Sequence, residues 1–160
     1  MTTREYLNQI NKINLMIEAK VEDEERLRAL ATKITVPMDG ERVKSSPDPD
    51  KMTKVVAKII ELDDEIESAV KDLIEKRKII VSQIDSIEVP EYYSFLTYKY
   101  MQNLQAKEIA GKMGIAKSVM FTIQNEALFE FEKKFGGLYL KNTDRKETGN
   151  KKRIKSEYIG

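Results

Sequence analysis

Cysteine, histidine and tryptophan are all absent from this chain of 160 residues. Without cysteine the chain forms no disulfide and offers no thiol, and without histidine it forms neither a Cys/His zinc site nor a nucleophile paired with histidine. The Asp and Glu residues occur at the spacing of helix surfaces. We therefore expect no catalytic residue, no metal site and no cofactor, and a protein that is not an enzyme.

Long apolar runs are also missing. No segment approaches the roughly 18 apolar residues that cross a membrane. The first residues, MTTREYLNQINKIN, are polar and lack the apolar run of a signal peptide. These features predict a cytoplasmic protein without a membrane partner.

Proline and glycine are scarce, with four and seven occurrences, and most of them separate segments of helical periodicity. Residues 5–31 have apolar residues at steps of mostly three and four, interrupted by Asn14, which predicts a first helix. The apolar positions of this helix are Leu7, Ile10, Ile17, Val21, Leu27 and Leu30. Residues 32–48 are rich in Pro, Gly, Ser and Asp and predict a loop that is unusually long for a helical hairpin. The sequence Asp48-Pro49-Asp50 then predicts a new helix start.

The second helix has the clearest periodicity in the chain. Apolar residues alternate steps of four and three from Met52 to Ile87, with polar interruptions only at Asp63 and Arg77, which is typical of a coiled-coil seam. We expect these two polar residues to lie near water rather than to form a buried pair. The seam residues are Met52, Val56, Ile59, Asp63, Ile66, Val70, Leu73, Arg77, Ile80, Ile84 and Ile87. Further apolar residues widen this stripe, namely Val55, Leu62, Ile74 and Val81.

Two partners for this seam are compatible with the sequence. The first helix could fold back on the second as an antiparallel hairpin, or the long helices of two chains could pair. Because the first helix is shorter, a hairpin leaves part of the seam uncovered, and the widened stripe offers a second chain a place to pack. We therefore expect a homodimer, although the sequence does not choose between the two arrangements.

The segment AKEIAGKMGIAKSVMFTIQN, residues 106–125, has the pattern of a helix-turn-helix. Its small Ala110 permits a close helix crossing, and Gly114 supplies the left-handed backbone of the turn. An ordinary amphipathic helix explains the apolar spacing but not a glycine between two helical patterns. The predicted core of the motif consists of Ile109, Ala110, Met113, Gly114, Ile115, Met120 and Ile123.

Val89-Pro90 breaks the long helix, and the segment EYYSFLTYKYM predicts a short supporting helix with Tyr92 or Tyr93, Leu96 and Tyr100 on its inner side. The last helix is expected from about Lys117 to Phe135. The predicted fold class is therefore all-α. It comprises a long helical hairpin or coiled coil in residues 1–88, a three-helix helix-turn-helix domain in residues 89–137, and a flexible basic tail in residues 138–160.

A net charge of +1 conceals an uneven distribution. Residues 133–160 contain nine Lys or Arg and three acids, whereas residues 1–132 carry a net negative charge. A basic segment of this kind is suited to contact phosphate backbones, and the alternative is a solubilising tail. The predicted phosphate contacts are Lys133, Lys134, Lys151, Lys152 and Arg153.

Residues 92–131 resemble region four of the sigma-70 family. The matching residues are Glu108-Ile109-Ala110, Gly114 and the pair Ala127-Leu128. With YLNQINKIN near the start and IVSQID before the motif, nearly the whole chain apart from the tail resembles sigma-like transcriptional regulators of phages and prophages of Gram-positive bacteria.

This resemblance implies that residues 117–132 form a recognition helix in the major groove of double-stranded DNA. The residues it directs towards the DNA are Lys117, Ser118, Phe121, Thr122 and Asn125. The sequence departs from the family because Lys117 is the only basic residue in this segment, which also contains Glu126, Glu130 and Glu132. Ala116 also stands where the family has a Ser or Thr cap.

The resemblance predicts a DNA-binding transcriptional regulator. One alternative is a protein-interaction module that binds host RNA polymerase or a repressor, and another is a DNA-packaging or replication adaptor that forms a larger ring.

Overall fold

A computed structural model describes residues 1–35 and 49–140, and in these residues it contains helices and no strands. The fold class is all-α, as the sequence predicts. The helices are α1 (Thr3–Thr35), α2 (Pro49–Asp85), α3 (Pro90–Leu96), α4 (Ala106–Met113) and α5 (Lys117–Phe135). A π-helical segment, Thr97–Met101, follows α3, and a 3₁₀ turn, Gly136–Leu138, follows α5. Within the described residues, none of the helices has both the length and the apolar content to cross a bilayer.

The helix limits lie close to those expected. α2 begins at Pro49, and α5 spans Lys117–Phe135. α1 is longer than the periodicity indicates and includes residues 32–35 of the predicted loop, while residues 36–48 lie outside the described part of the chain. Asp48, the predicted cap of α2, also lies outside it.

The described residues form two compact units. Unit 1 contains Met1–Lys12 and Arg77–Gly160, of which residues 141–160 are not described, and unit 2 contains Ile13–Lys76. The beginning of α1 and the end of α2 thus share a unit with α3, α4 and α5. The domain boundaries predicted at residues 88 and 137 divide the chain by its sequence pattern, whereas the two units divide it by contacts within the structure.

Unit 1 has one hydrophobic core, to which all five helices contribute. Side chains from the first turns of α1 and the last turns of α2 pack with those of the helix-turn-helix. The buried residues are Leu7, Ile10, Ile80, Ile84, Ile87, Phe95, Leu96, Tyr100, Ile109, Ala110, Met120, Ile123, Ala127 and Phe131. Tyr92 packs partly buried against this core, whereas Tyr93 is exposed. Phe95, which the sequence pattern did not single out, is completely buried.

Helices α1 and α2 contact each other within the chain. In unit 1, the Tyr6 hydroxyl donates a 2.8 Å hydrogen bond to Gln83 Oε1. In unit 2, Arg28 Nε lies 3.6 Å from Asp63 Oδ1. Each of these contacts lies within one unit. In unit 2, the seam residue Asp63 therefore faces α1 of its own chain.

The inward positions of α1 differ from the predicted stripe at three residues. Val21 and Leu30 are 39% and 48% exposed, whereas Ile13 is buried. A heptad that starts at Ile10 and Ile13 places Glu24 and Ala31 inward and leaves Val21 and Leu30 on the flanks of α1. The apolar spacing alone was misleading here because polar and small residues occupy part of the seam.

Asp63 meets a cation from α1 rather than from its own helix. Its side chain is 25% exposed, and its Oδ1 has no hydrogen-bond partner. Arg28, which also pairs with Glu24 one turn earlier on α1, is the nearby cation. Asp63 is therefore a polar seam position whose Oδ1 is shielded from water and faces Arg28, which differs from the expected exposure to water.

The glycines of α4 provide a matched test of the turn. Gly114 has φ +65°, Gly111 is in the helix, and a Cβ at either position would meet no atom within 4 Å. Gly111→Ala should raise the free energy of unfolding by about 1 kcal/mol because alanine favours the helix. Gly114→Ala should lower it by about 1–2 kcal/mol because alanine disfavours the left-handed conformation. Urea unfolding of both variants measures the difference, and equal effects would contradict the left-handed turn.

Candidate functional site

The turn between α4 and α5 is built from backbone hydrogen bonds around Gly114. The amide of Ile115 donates to the carbonyl of Ala110 at 3.1 Å, and the amide of Gly114 donates to the carbonyl of Gly111 at 3.2 Å. These bonds satisfy carbonyls at the end of α4. At the other end of α4, the backbone amide of Gln105 donates to Glu108 Oε2 at 2.9 Å. The ends of α4 are thus fixed locally.

The predicted core residues of the motif hold α4 against α5. Ile109, Ala110, Met120 and Ile123 are buried. Met113 and Ile115 are partly buried against the same core.

All five residues predicted to face DNA are exposed on α5. These residues follow one another at steps of three and four along α5, as Phe121 follows Lys117 and Asn125 follows Phe121. Residues at such steps lie on one face of a helix. The buried positions Met120, Ile123, Ala127 and Phe131 lie on the opposite side. The Thr122 hydroxyl donates to the carbonyl of Ser118 at 3.3 Å. We call Lys117, Ser118, Phe121, Thr122 and Asn125 the reading face.

The three acids of α5 are partly buried rather than exposed. The Tyr92 hydroxyl donates to Glu126 Oε2 at 3.0 Å, and the Thr3 hydroxyl donates to Glu132 Oε2 at 2.6 Å. Glu130 lines a cavity together with Tyr92. Partial burial and the bond to Glu126 raise the pKa of Tyr92. The reading face itself contains no acid.

Of the residues predicted to contact phosphate, the structure describes Lys133 and Lys134, and their surroundings differ. Lys133 is exposed near the end of α5, about 24 Å along the helix axis from Lys117. The ammonium of Lys134 donates to the Ser86 carbonyl at 2.8 Å and lies 5.8 Å from the centre of the Phe135 ring. Lys151, Lys152 and Arg153 lie outside the described residues.

Three further residues of α4 and α5 are exposed. Lys107 and Lys112 are exposed at the two ends of α4, and Lys112 Nζ lies 5.5 Å from the centre of the Tyr98 ring. Phe129 is 39% exposed and follows Asn125 by one turn. The sequence could have identified the two lysines from their position in the first helix of the motif. It could have identified Phe129 because this residue follows Asn125 of the reading face by four positions.

Aromatic and hydroxyl groups anchor the end of α5 to the beginning of α1. The rings of Tyr6 and Tyr139 stack with centres 4.2 Å apart, and the Tyr139 hydroxyl donates to Thr3 Oγ1 at 3.0 Å. Burial raises the pKa of Tyr139 to about 12, although the hydrogen bond with Thr3 acts in the opposite direction. Burial also raises the pKa of Tyr100 to about 12.

In residues 1–35 and 49–140, no group of three or more Asp or Glu side chains is placed to hold a metal ion.

These features define an all-α protein in which α4 and α5 form a helix-turn-helix. Residues 38–132, more than half of the chain, match the family described as "Protein of unknown function (DUF1492)", and the chain belongs to this family. No curated protein and no solved structure matches the chain.

The tyrosine pKa values predict alkaline sensitivity. Between pH about 10 and about 12, an unfolded tyrosine loses its proton while buried Tyr100 and Tyr139 retain theirs, so the free energy of unfolding falls as pH rises. Tyr100→Phe keeps the ring and removes the ionisable group, so it should lose less stability between pH about 8 and about 11 than the wild type. Urea unfolding measures this loss. Tyr93→Phe, at an exposed ring, is the control, and identical losses in Tyr100→Phe and the wild type would contradict the assignment.

Proposed function

We propose that this protein is a DNA-binding transcriptional regulator of a phage or prophage that acts in the cytoplasm and docks α5 in the major groove. The observation that carries the proposal is the reading face, which is exposed and free of acids although α5 contains three glutamates. A helix that enters the groove presents this side to base edges, so carboxylates there would repel the phosphates on either side.

The side chains of the reading face suit different parts of DNA. Asn125 has both a donor and an acceptor and can bind adenine through two hydrogen bonds. Because the Thr122 hydroxyl donates its proton to the Ser118 carbonyl, its oxygen is left as an acceptor for a base amino group. Phe121, 42% exposed, can contact a thymine methyl group. Lys117, at the first turn of α5, can bind a phosphate or a guanine.

The first helix of the motif supports the same docking. In a helix-turn-helix this helix crosses the DNA backbone, and Lys107 and Lys112 are exposed on α4. The basic residues of the tail would add phosphate contacts that do not depend on sequence. The likeness to sigma region four suggests host RNA polymerase as a further partner.

A second candidate function is protein binding through the same face. Phe121 and Phe129 expose apolar surface on α5, and exposed aromatic side chains are frequent anchors at protein interfaces. Under this alternative, α5 would bind polymerase or a repressor, and substitutions on its reading face would leave DNA affinity unchanged.

An isosteric pair of substitutions tests the role of the reading face. Asn125→Asp places a carboxylate on this face, whereas Gln124→Glu makes the same charge change at the neighbouring, partly buried position. We expect Asn125→Asp to weaken binding to the cognate duplex by about tenfold or more, since a base contact is worth about 1–3 kcal/mol. Gln124→Glu should weaken it much less. Titration of DNA flanking the gene measures both affinities, and equal losses would contradict groove docking by this face.

A second test separates phosphate contacts from base contacts. Truncation after Leu140 keeps Tyr139 on Tyr6 and removes seven basic and three acidic residues. It should weaken binding to cognate and random duplexes alike and lower the slope of affinity against salt by about one unit per lost phosphate contact.

Asn125→Ala is the matched variant for this test. It should reduce the preference for the cognate duplex and leave the salt slope nearly unchanged. An unchanged slope after truncation would show that the tail only solubilises the protein. Unchanged specificity in Asn125→Ala, combined with binding of polymerase through α5, would favour the second candidate function.

A further inference from the structure

Helix α2 carries a second regular stripe beside the seam. Its members are Ile60, Asp64, Glu67, Lys71 and Ile74, which we call the outer stripe, and all of them are exposed residues of unit 2. Ile60 and Ile74 are 56% and 48% exposed, which is high for isoleucine. The steps of four, three, four and three residues repeat the period of a coiled coil.

The outer stripe lies apart from the surface that faces α1. Each member follows a seam residue by one position, as Ile60 follows Ile59 and Ile74 follows Leu73, so it is rotated by about 100° around the helix axis. Ile59 and Leu73 are buried, whereas the residues that follow them are exposed. A second helix could therefore lie along the outer stripe without displacing α1 from the seam.

The order of side chains in the outer stripe is complementary to itself in the antiparallel direction. If Glu67 is placed at a two-fold axis, Ile60 of one chain meets Ile74 of the other, and Asp64 meets Lys71. A parallel arrangement in register would instead place Asp64 against Asp64 and Lys71 against Lys71. The two copies of Glu67 meet at the axis, where each has Lys71 Nζ of its own helix 3.7 Å away.

We propose that the outer stripe is a homodimer interface, with a second copy of this chain bound antiparallel along α2. Complementarity of charge and apolar groups under a two-fold axis is what a symmetric dimer requires, because each partner uses the same surface. This interface differs from pairing through the α2 seam, where Asp63 contacts α1 of the same chain. The proposal does not depend on DNA binding.

Charge reversal tests the pairing of Asp64 with Lys71. Asp64→Lys places two lysines opposite each other on both sides of the two-fold axis, and we expect it to weaken dimerisation on the order of tenfold. The double variant Asp64→Lys with Lys71→Asp restores opposite charges across the interface and should recover most of the loss. Sedimentation equilibrium measures the dissociation constants, with circular dichroism to confirm that helix content is unchanged. A wild-type mass of one chain at all concentrations, or a double variant no tighter than Asp64→Lys, would overturn the proposal.

Cysteine cross-linking tests the register, since the natural chain has no cysteine. Glu67→Cys places one thiol of each chain at the two-fold axis, where the Cα atoms can approach to disulfide distance. Glu65→Cys introduces the same exposed residue about 160° away around α2. We expect mild oxidation to convert Glu67→Cys to a covalent dimer at least tenfold faster than Glu65→Cys. Equal rates would overturn the antiparallel register.

Discussion

Burial of the first turns of α1 among the helices of the helix-turn-helix is the contact on which unit 1 depends. Leu7 and Ile10 of α1 are completely buried in the same core as Phe95 and Phe131. Three short helices joined by tight turns have little apolar surface to bury, and a domain of that size is only marginally stable alone. The ends of α1 and α2 enlarge the core, so the orientation of α5 depends on residues more than 100 positions away.

The same packing determines the electrostatic character of α5. Phe131 and Ala127 fix the inner side of the helix, and this fixes the direction in which every other side chain points. Glu126 and Glu132 reach hydroxyl groups of Tyr92 and Thr3, which are neutral donors. Both carboxylates thus accept hydrogen bonds from neutral hydroxyl groups, while the reading face keeps only polar, aromatic and basic side chains. A count of charges along α5 therefore does not describe the charge of its exposed face.

Unit 2 is built with much less burial than unit 1. Of its described residues, only Ile13, Ile59 and Leu73 are apolar and buried. Polar residues occupy several inward positions, as Asp63 and Glu24 show. A pair of helices with so little buried surface gains stability when a further helix covers its exposed isoleucines. The stability gained from additional burial and the order of charges along α2 thus both favour the outer stripe as an interface.

The sequence by itself determined the helices and the helix-turn-helix. Helical period, Pro49, Pro90 and Gly114 are local signals, because helix formation and the left-handed turn depend on neighbouring residues. The positions of the buried and exposed faces of α5 also followed from its spacing. Local signals did not show that Leu30 is exposed, that Asp63 meets Arg28 or that Glu132 accepts a hydrogen bond from Thr3. Only the tertiary structure decided these contacts, because they join residues far apart in the chain, and their geometry depends on how helices pack rather than on the period within any one of them.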